Sequence, residues 1–246
     1  MIKLSPRLSC AVPYVRSGRL LADVGTDHAY LPIYLCQAGI LTPVTAGNGQ
    51  VICAVASDIN KGPVKRAELH IAAEGLTSKI TTLCTDGLHG LDSFAPEDIV
   101  IFGMGGELIL SILEDAPWIQ ARDVRLILQP MTHPEKLRMG LASLGFEITG
   151  ETLCAEGERM YQIICADYSP NTATPPKSPA EALTGSLYPP EQAILHRELI
   201  QKVLAKEIAC RNARDKAGQD TRAEDRVIAS LKTQYERITK ALEDNT

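Results

Sequence analysis

The sequence predicts an α/β fold, a mostly parallel and doubly wound sheet, followed by an antiparallel helical hairpin. Three observations predict it. Short apolar runs alternate with helix-like stretches from residue 19 to residue 145. Acidic residues and glycines recur where those runs end. Past residue 169 the chain turns proline-rich, and beyond that its apolar spacing becomes heptad-like. With 246 residues, 45% of them apolar, the chain can fill one α/β core and carry an appendage.

The elements follow in order. RLLADVG (19–25) reads as the first strand and AYLPIYLCQAG as the helix after it. The turn-rich TAGNGQ leads into VICAVASD (51–58), a second strand, and a helix runs from about Gly62 to Glu74, stopped at Gly75. KITTLCTD (79–86) and DIVIFGMGG (98–106) are the third and fourth strands. ELILSILEDA (107–116) is helical, with Leu108, Ile109, Ile112 and Leu113 on one face. RLILQPM (125–131) is the fifth strand, and HPEKLRMGLASLG (133–145) a helix ended by Gly145. Residues 146–169 read as a terminal antiparallel strand pair. Regular alternation implies right-handed crossovers and a largely parallel sheet.

Residues 169–190 hold six prolines and little apolar content, which reads as a linker or irregular bridge. Two helices follow, over about 190–217 and 221–243, joined near Gly218. Leu199, Ile200, Val203, Leu204 and Ile208 form a stripe on the first; Ile228, Leu231, Tyr235, Ile238 and Leu242 form one on the second. These stripes read as the hairpin's own packing faces.

Composition excludes several classes. No run of about 18 apolar residues exists, so no membrane span is expected. The N-terminus lacks the apolar core of a signal peptide. Seven cysteines, none in a CxxC pair, read as buried reduced thiols of a cytoplasmic protein, with no metal site implied. The net charge of −5 argues mildly against general nucleic-acid binding. Residues 169–246 hold 12 Lys/Arg against 11 Asp/Glu, leaving 13 against 19 for residues 1–168.

The chemistry concentrates at the strand ends, where open α/β sheets bind their ligands. The first strand ends in Asp23-Val24-Gly25-Thr26-Asp27, the second in Asp58-Ile59-Asn60, the third in Asp86-Gly87. The fourth ends in Gly103-Met104-Gly105-Gly106 and the fifth in Gln129-Pro130. A nucleotide cofactor explains the set. An ionised Asp58 offers only acceptors, which suits two ribose hydroxyls. Asp86, followed by Gly87, can meet an adenine amine. The first turn is not GxGxxG, and Asp23 and Asp27 would repel a pyrophosphate. A cationic amino-acid tail and a sulfonium suit them, which argues for S-adenosyl-L-methionine over NAD.

LADVGTDHAYLP, ASDINKGP, TDGL, IFGMGG and LILQP, with the opening LSPRL, resemble the bacterial tRNA (adenine(22)-N1)-methyltransferases in order and spacing across about residues 4–165. The resemblance implies a Rossmann-like class I methyltransferase sheet over residues 1–168, a linker over 169–189 and a coiled-coil hairpin over 190–246. It implies S-adenosyl-L-methionine as cofactor and tRNA as partner, without membrane or metal, in a chain expected to be monomeric. Two departures stand out. Asp58 takes a place where a Glu is expected, and TPVTAGNGQV looks like extra length before the second strand.

The expected cofactor residues are Asp23, Gly25, Asp58, Asn60, Asp86, Gly87, Gly103, Met104 and Gly105. Asp27, His28 and Tyr30 are the catalytic candidates; Arg7, Gly106, Gln129 and Pro130 are the substrate-side ones. Adenine nitrogen-1 carries an in-plane lone pair and needs no strong base, but the methylated ring is cationic. A carboxylate beside it stabilises that charge and accepts from the exocyclic amine. Gly103 to Gly106 leave room for a purine edge but supply no side-chain acceptor, which points back to Asp27. Plainer readings stand beside these. Asp27 can be a helix N-cap, His28 can bond the backbone, Tyr30 can be core, and Gly105 and Gly106 can serve a turn. The resemblance makes Lys3, Arg7, Arg16, Arg19, Lys61, Lys65 and Arg66, with Lys202, Lys206, Arg211, Arg214 and Lys216 on the hairpin, candidate phosphate contacts; their spacing by itself suits a solvated helical face. Rival functions are methyl transfer to another RNA, a small molecule or a protein, an NAD-dependent oxidoreductase, and a non-catalytic RNA-binding module.

Overall fold

A computed structural model describes residues 1–244. The chain opens with a short helix α1 (Pro6–Ser9), whose first turn is capped by the Ser5 hydroxyl accepting from Leu8 N–H. Strand β1 (Leu21–Val24) and helix α2 (Tyr30–Gln37) follow. A small antiparallel pair, β2 (Val44–Thr45) and β3 (Val51–Ile52), precedes β4 (Ala54–Asp58) and α3 (Lys61–Ala73). Then come β5 (Ile80–Cys84), β6 (Asp98–Met104), α4 (Gly106–Glu114), β7 (Arg125–Pro130) and α5 (Pro134–Ser143). Strands β8 (Phe146–Glu156) and β9 (Arg159–Tyr168) complete the sheet.

The seven strands run β5-β4-β1-β6-β7-β9-β8. The first five are parallel neighbours; β9 is antiparallel to β7 and β8 to β9. The doubly wound α/β expectation is borne out. Alternation along each strand splits the core in two. Ala22, Ile99, Ile101, Leu126 and Leu128 pack on α4 and α5. Leu21, Ala54, Ala56, Val100 and Ile127 pack under α1, α2 and α3. Both faces are therefore covered, and the central strands read as continuous apolar runs for that reason.

Two expectations change. Residues 51–58 are not one strand: the chain leaves the sheet at Cys53, and Val51–Ile52 pairs with Val44–Thr45 instead. The extra length is thus a small hairpin, anchored where Gly47 N–H donates to Phe94 O at 2.8 Å. The proline-rich bridge is also more ordered than a linker. It contains α6 (Pro179–Thr184), started by Ser178 accepting from Glu181 N–H, with Ala180 and Thr184 fully buried.

Helices α7 (Ala193–Lys216) and α8 (Arg222–Glu243) form the C-terminal hairpin and close on α6. Their shared core is Ala180, Ile200 and Leu231, flanked by Leu183, Val203, Leu204, Val227, Tyr235 and Ile238. Ile208, expected in the stripe, is 38% exposed because the seam serves only the root of the hairpin. Toward the tip Arg211 pairs with Asp215 and Asp225, and Arg214 with Glu224. Those two arginines, among the candidate phosphate contacts, join the helices through these pairs.

One buried ion pair locks the bridge to the sheet. Arg138 of α5 donates to Glu151 of β8, with the two side chains 1% and 2% exposed. Arg138 also reaches Ala182 O and Gln162 Oε1, while Glu151 accepts from Ser186 and Leu187 N–H. Burial pushes the Glu151 carboxyl up, but Arg138 and those two N–H groups outweigh it and hold the carboxyl below its usual range. Every partner is satisfied, as a buried charge requires.

Candidate active site

The strand order places the C-terminal ends of β5, β4, β1 and β6 side by side, one strand spacing apart. Register confirms the alignment: Val24 lies opposite Ser57 and Ile101, and Asp58 opposite Cys84. Asp23, Asp58 and Asp86 therefore open onto one edge. At the end of β1 the chain turns through Gly25, at φ 77°, while Gly25 and Thr26 N–H both donate to Ser57 O. A Cβ on Gly25 would stand 2.5 Å from the Met104 methyl, the movable end of a side chain, so it is the left-handed φ that calls for glycine here.

Asp23 is 8% exposed, and among the described residues its side chain accepts from the Thr26 hydroxyl alone. Burial raises its carboxyl from 3.8 to about 6, against a smaller lowering by Thr26. A cationic group of a ligand is what this desolvated acid lacks. Asp58 sits at the end of β4, where its Oδ1 accepts from Asn60 N–H at 2.8 Å. Asn60 is the N-cap of α3 and makes no side-chain cap bond. Asp86 is exposed, and Gly87, at φ 52°, turns the chain against Ile112. Gly103, at φ 81°, is exposed, and Gly105 caps α4.

A cleft of about 510 Å³ joins this turn to the N-terminal segment. Lys3, Ser5, Arg7 and Leu8 line one side; Asp23 to Leu31 and Phe102 line the other. Asp27, 62% exposed at its side chain, pairs with Arg66 of α3 and lies 3.3 Å from His28 Nε2. It is not the N-cap of α2. That position belongs to Ala29, whose φ of 54° and ψ of 25° are left-handed, so the helix starts two residues later than an Asp27 cap needs. Tyr30 is 42% exposed and stacks on His28 with centroids 5.1 Å apart, which places it outside the core.

The substrate-side candidates fare unevenly. Arg7 lines the cleft, over the Tyr161 ring and bonded to Gln129 Oε1 at 3.2 Å. Gln129 and Pro130 are buried. Gln129 accepts from Gly103 N–H and donates to Pro130 O, so it braces the Gly103 turn and Arg7 rather than facing a substrate. Gly106 is buried too. A Cβ there would stand 2.4 Å from His133 O, and its N–H donates to Thr132 O at 2.7 Å. Its small size admits the neighbouring loop, not a purine edge.

Sequence reasoning missed Thr26, Phe102 and His70. Thr26 was legible as the hydroxyl three residues beyond Asp23; His70 had no local signal, because it arrives from another helix.

Residues 4–164 match the model of a methyltransferase-domain family. The chain belongs to that family. The tRNA (adenine(22)-N(1))-methyltransferase of Bacillus subtilis is 34% identical over 166 residues, which cover 68% of this chain and 66%, just under two thirds, of that relative. A crystal structure of the B. subtilis m1A22 tRNA methyltransferase is 26% identical at TM-score 0.74, covering 98% of this chain and 99% of that one. A structure from Streptococcus pneumoniae in complex with S-adenosyl-L-methionine is 28% identical at TM-score 0.76, covering 95% and 100%. The resemblance to adenine-N1 tRNA methyltransferases and the S-adenosyl-L-methionine expectation are both borne out. The matched segment runs from α1 into β9, taking in the sheet and the helices α2 to α5; α6, α7 and α8 lie beyond it.

Proposed function

We propose that this protein transfers the methyl group of S-adenosyl-L-methionine to nitrogen-1 of an adenine in tRNA, at position 22 as the named relative does. The observation that carries the reading is the shared cleft, in which buried Asp23, half-buried His28 and exposed Asp27 and Tyr30 line one wall. The residues fit the cofactor. Asp23 is a desolvated acid lacking a cationic partner, Gly25 gives close backbone approach, and Asp58 keeps one oxygen without a bond in the structure. Asp23 and Gly25 would hold the amino-acid tail, Asp58 the ribose, and Asp86 and Gly87 the adenine. When bound, the cofactor supplies a methyl group made electrophilic by a sulfonium.

The chain's own residues do the rest. Nitrogen-1 is on the pairing edge, so the target base must leave its stack. Tyr30 offers an exposed ring for it, as single bases commonly find on RNA-binding proteins. Asp27 accepts from the exocyclic amine and faces the positive charge that develops on the ring. Arg7, held by buried Gln129, closes the opposite wall. Residues 1–168 are the catalytic unit in this reading, and the hairpin extends the tRNA contact. The setting is the cytoplasm, where tRNA is processed.

Incubation with methyl-labelled S-adenosyl-L-methionine and unmodified bulk tRNA, followed by nucleoside analysis, tests the proposal. Labelled 1-methyladenosine is the expected product. Label in another nucleoside would move the reading to a different RNA target. S-adenosyl-L-homocysteine binding without labelled tRNA would favour a small-molecule or protein substrate.

A further inference from the structure

His70 lies in the last turn of α3, far in sequence from the strand ends. Its ring centroid is 5.0 Å from that of His28 and 5.4 Å from that of Tyr30. His28 and Tyr30 are 5.1 Å apart, and the three planes lie within 15–32° of one another. Ala29 makes this triangle possible. Its left-handed backbone brings the side chains on either side of it together, although alanine, buried to 1% exposure, gains nothing from that conformation itself. Strain of this kind at a non-glycine residue is a mark of functional sites.

One hydrogen bond ties the two histidines together. His70 Nδ1 is 3.3 Å from His28 O, a carbonyl that can only accept, so His70 carries a proton on Nδ1. His28 Nε2 lies 3.3 Å from the Asp27 carboxylate. His28 Nδ1 is buried without a hydrogen-bond partner among the described residues. Arg66, one helical turn before His70 on α3, pairs with Asp27. One helix thus holds two successive residues of the β1–α2 turn, Asp27 through Arg66 and His28 through His70.

We propose that His70 is a positioning residue for methyl transfer, holding the His28 ring in the orientation that aims the Asp27 carboxylate into the cleft. The inference rests on the adenine-N1 reading of the site. His70 does not itself line the cleft; it touches two residues that do, His28 and Tyr30, and acts through His28.

Three full-length variants test it. His70→Ala removes ring and donor, His70→Phe keeps the ring contact, and His70→Asn keeps a donor near Nδ1. Single-turnover methylation at saturating tRNA, calorimetry with S-adenosyl-L-homocysteine, and nitrogen-15 NMR of the His28 ring are measured for each. His70→Ala should slow single turnover by about ten- to a hundredfold, the usual effect of a small misplacement of a reacting group. Cofactor affinity should stay within twofold or so of wild type. His70→Phe and His70→Asn should each restore part of the rate. The His28 ring shifts should move in His70→Ala, where the stacked ring is lost, and return part-way in His70→Phe. An unchanged rate, or a fall in cofactor affinity that accounts for the slower turnover, would overturn the proposal. So would His28 ring shifts that His70→Ala leaves unchanged. Absence of 1-methyladenosine from the wild-type reaction would instead overturn the adenine-N1 reading, and the ring spectra would still decide whether His70 holds the His28 ring.

Discussion

The buried acid at the end of β1 makes cofactor binding depend on pH in a calculable way. Asp23 in the free protein has its carboxyl raised by burial to about 6, from 3.8. Below that pH it is mostly protonated. A cationic cofactor amine favours the carboxylate, so binding in acid must expel a proton. Affinity then falls by the factor one plus ten to the power (6 − pH), about twofold at pH 6 and about tenfold at pH 5, with a plateau above pH 7 or so. Calorimetry with S-adenosyl-L-homocysteine between about pH 5 and pH 8 measures it, because the amine stays charged throughout. Asp23→Asn should bind about ten- to a hundredfold more weakly at neutral pH, the worth of a hydrogen bond to a charged group, and should lose the pH dependence. A wild-type profile flat down to pH 5, or a slope that persists in Asp23→Asn, would refute the reasoning. The sign for folding is opposite. The folded state holds the proton more tightly, so Asp23 stabilises the free protein below about pH 4 and loses that contribution as pH rises to 6.

Four further outcomes are expected. Asp58→Ala should weaken S-adenosyl-L-methionine binding by about 1.5–3 kcal/mol with little effect on folding; unchanged affinity in a folded variant removes Asp58 from the ribose site. Asp27→Asn should leave cofactor affinity near wild type and slow single turnover by about two to three orders of magnitude, and a near wild-type rate would send the search for the acceptor to His28. Arg138→Ala should cost about 3–5 kcal/mol in denaturant unfolding, because Glu151 stays buried and loses its counter-charge; a loss under about 1 kcal/mol contradicts that account. His196, whose imidazole is lowered by burial from 6.5 to about 4, must fold neutral. Its contribution, about 3 kcal/mol, is present above pH 6.5 and is lost toward pH 4, so His196→Phe should flatten acid unfolding there.

Much of the sheet was legible because burial on both faces leaves unbroken apolar strands, and the strand ends then announce themselves by polarity. Asp23, Asp58 and Asp86 could be placed on one edge from chain order alone. The failures share a cause. Gln129, Pro130 and Gly106 have the residue types of a substrate site, yet each is consumed by neighbours that only the tertiary structure supplies: Arg7 from residue 7, and the Thr132–His133 backbone. Position 53 reads as mid-strand because a buried cysteine there is as apolar as its neighbours. The bridge reads as linker because α6 buries alanines and a threonine rather than large side chains. Arg138 reads as a surface residue of an amphipathic helix, since no local pattern reveals that Glu151 will meet it.

Charge shows the same limit and bears on the proposed substrate. Counting residues gives the first 168 positions a clear excess of acid, which argues against RNA. The structure changes the meaning of that count. Asp98 is fully buried and answered by Arg16, Asp167 by Arg125, Glu151 by Arg138, and Glu97 by Arg19. None of these acids lines the cleft. Among the described residues, the acids that do are Asp23, which is buried, and Asp27, which pairs with Arg66. Lys3 and Arg7 stand on the opposite wall without a carboxylate bonded to them among the described residues, and exposed Lys61 opens α3. A phosphate backbone approaching that wall meets cations first. Of the cleft's acids among the described residues, exposed Asp27 is where a methylated adenine needs a negative charge.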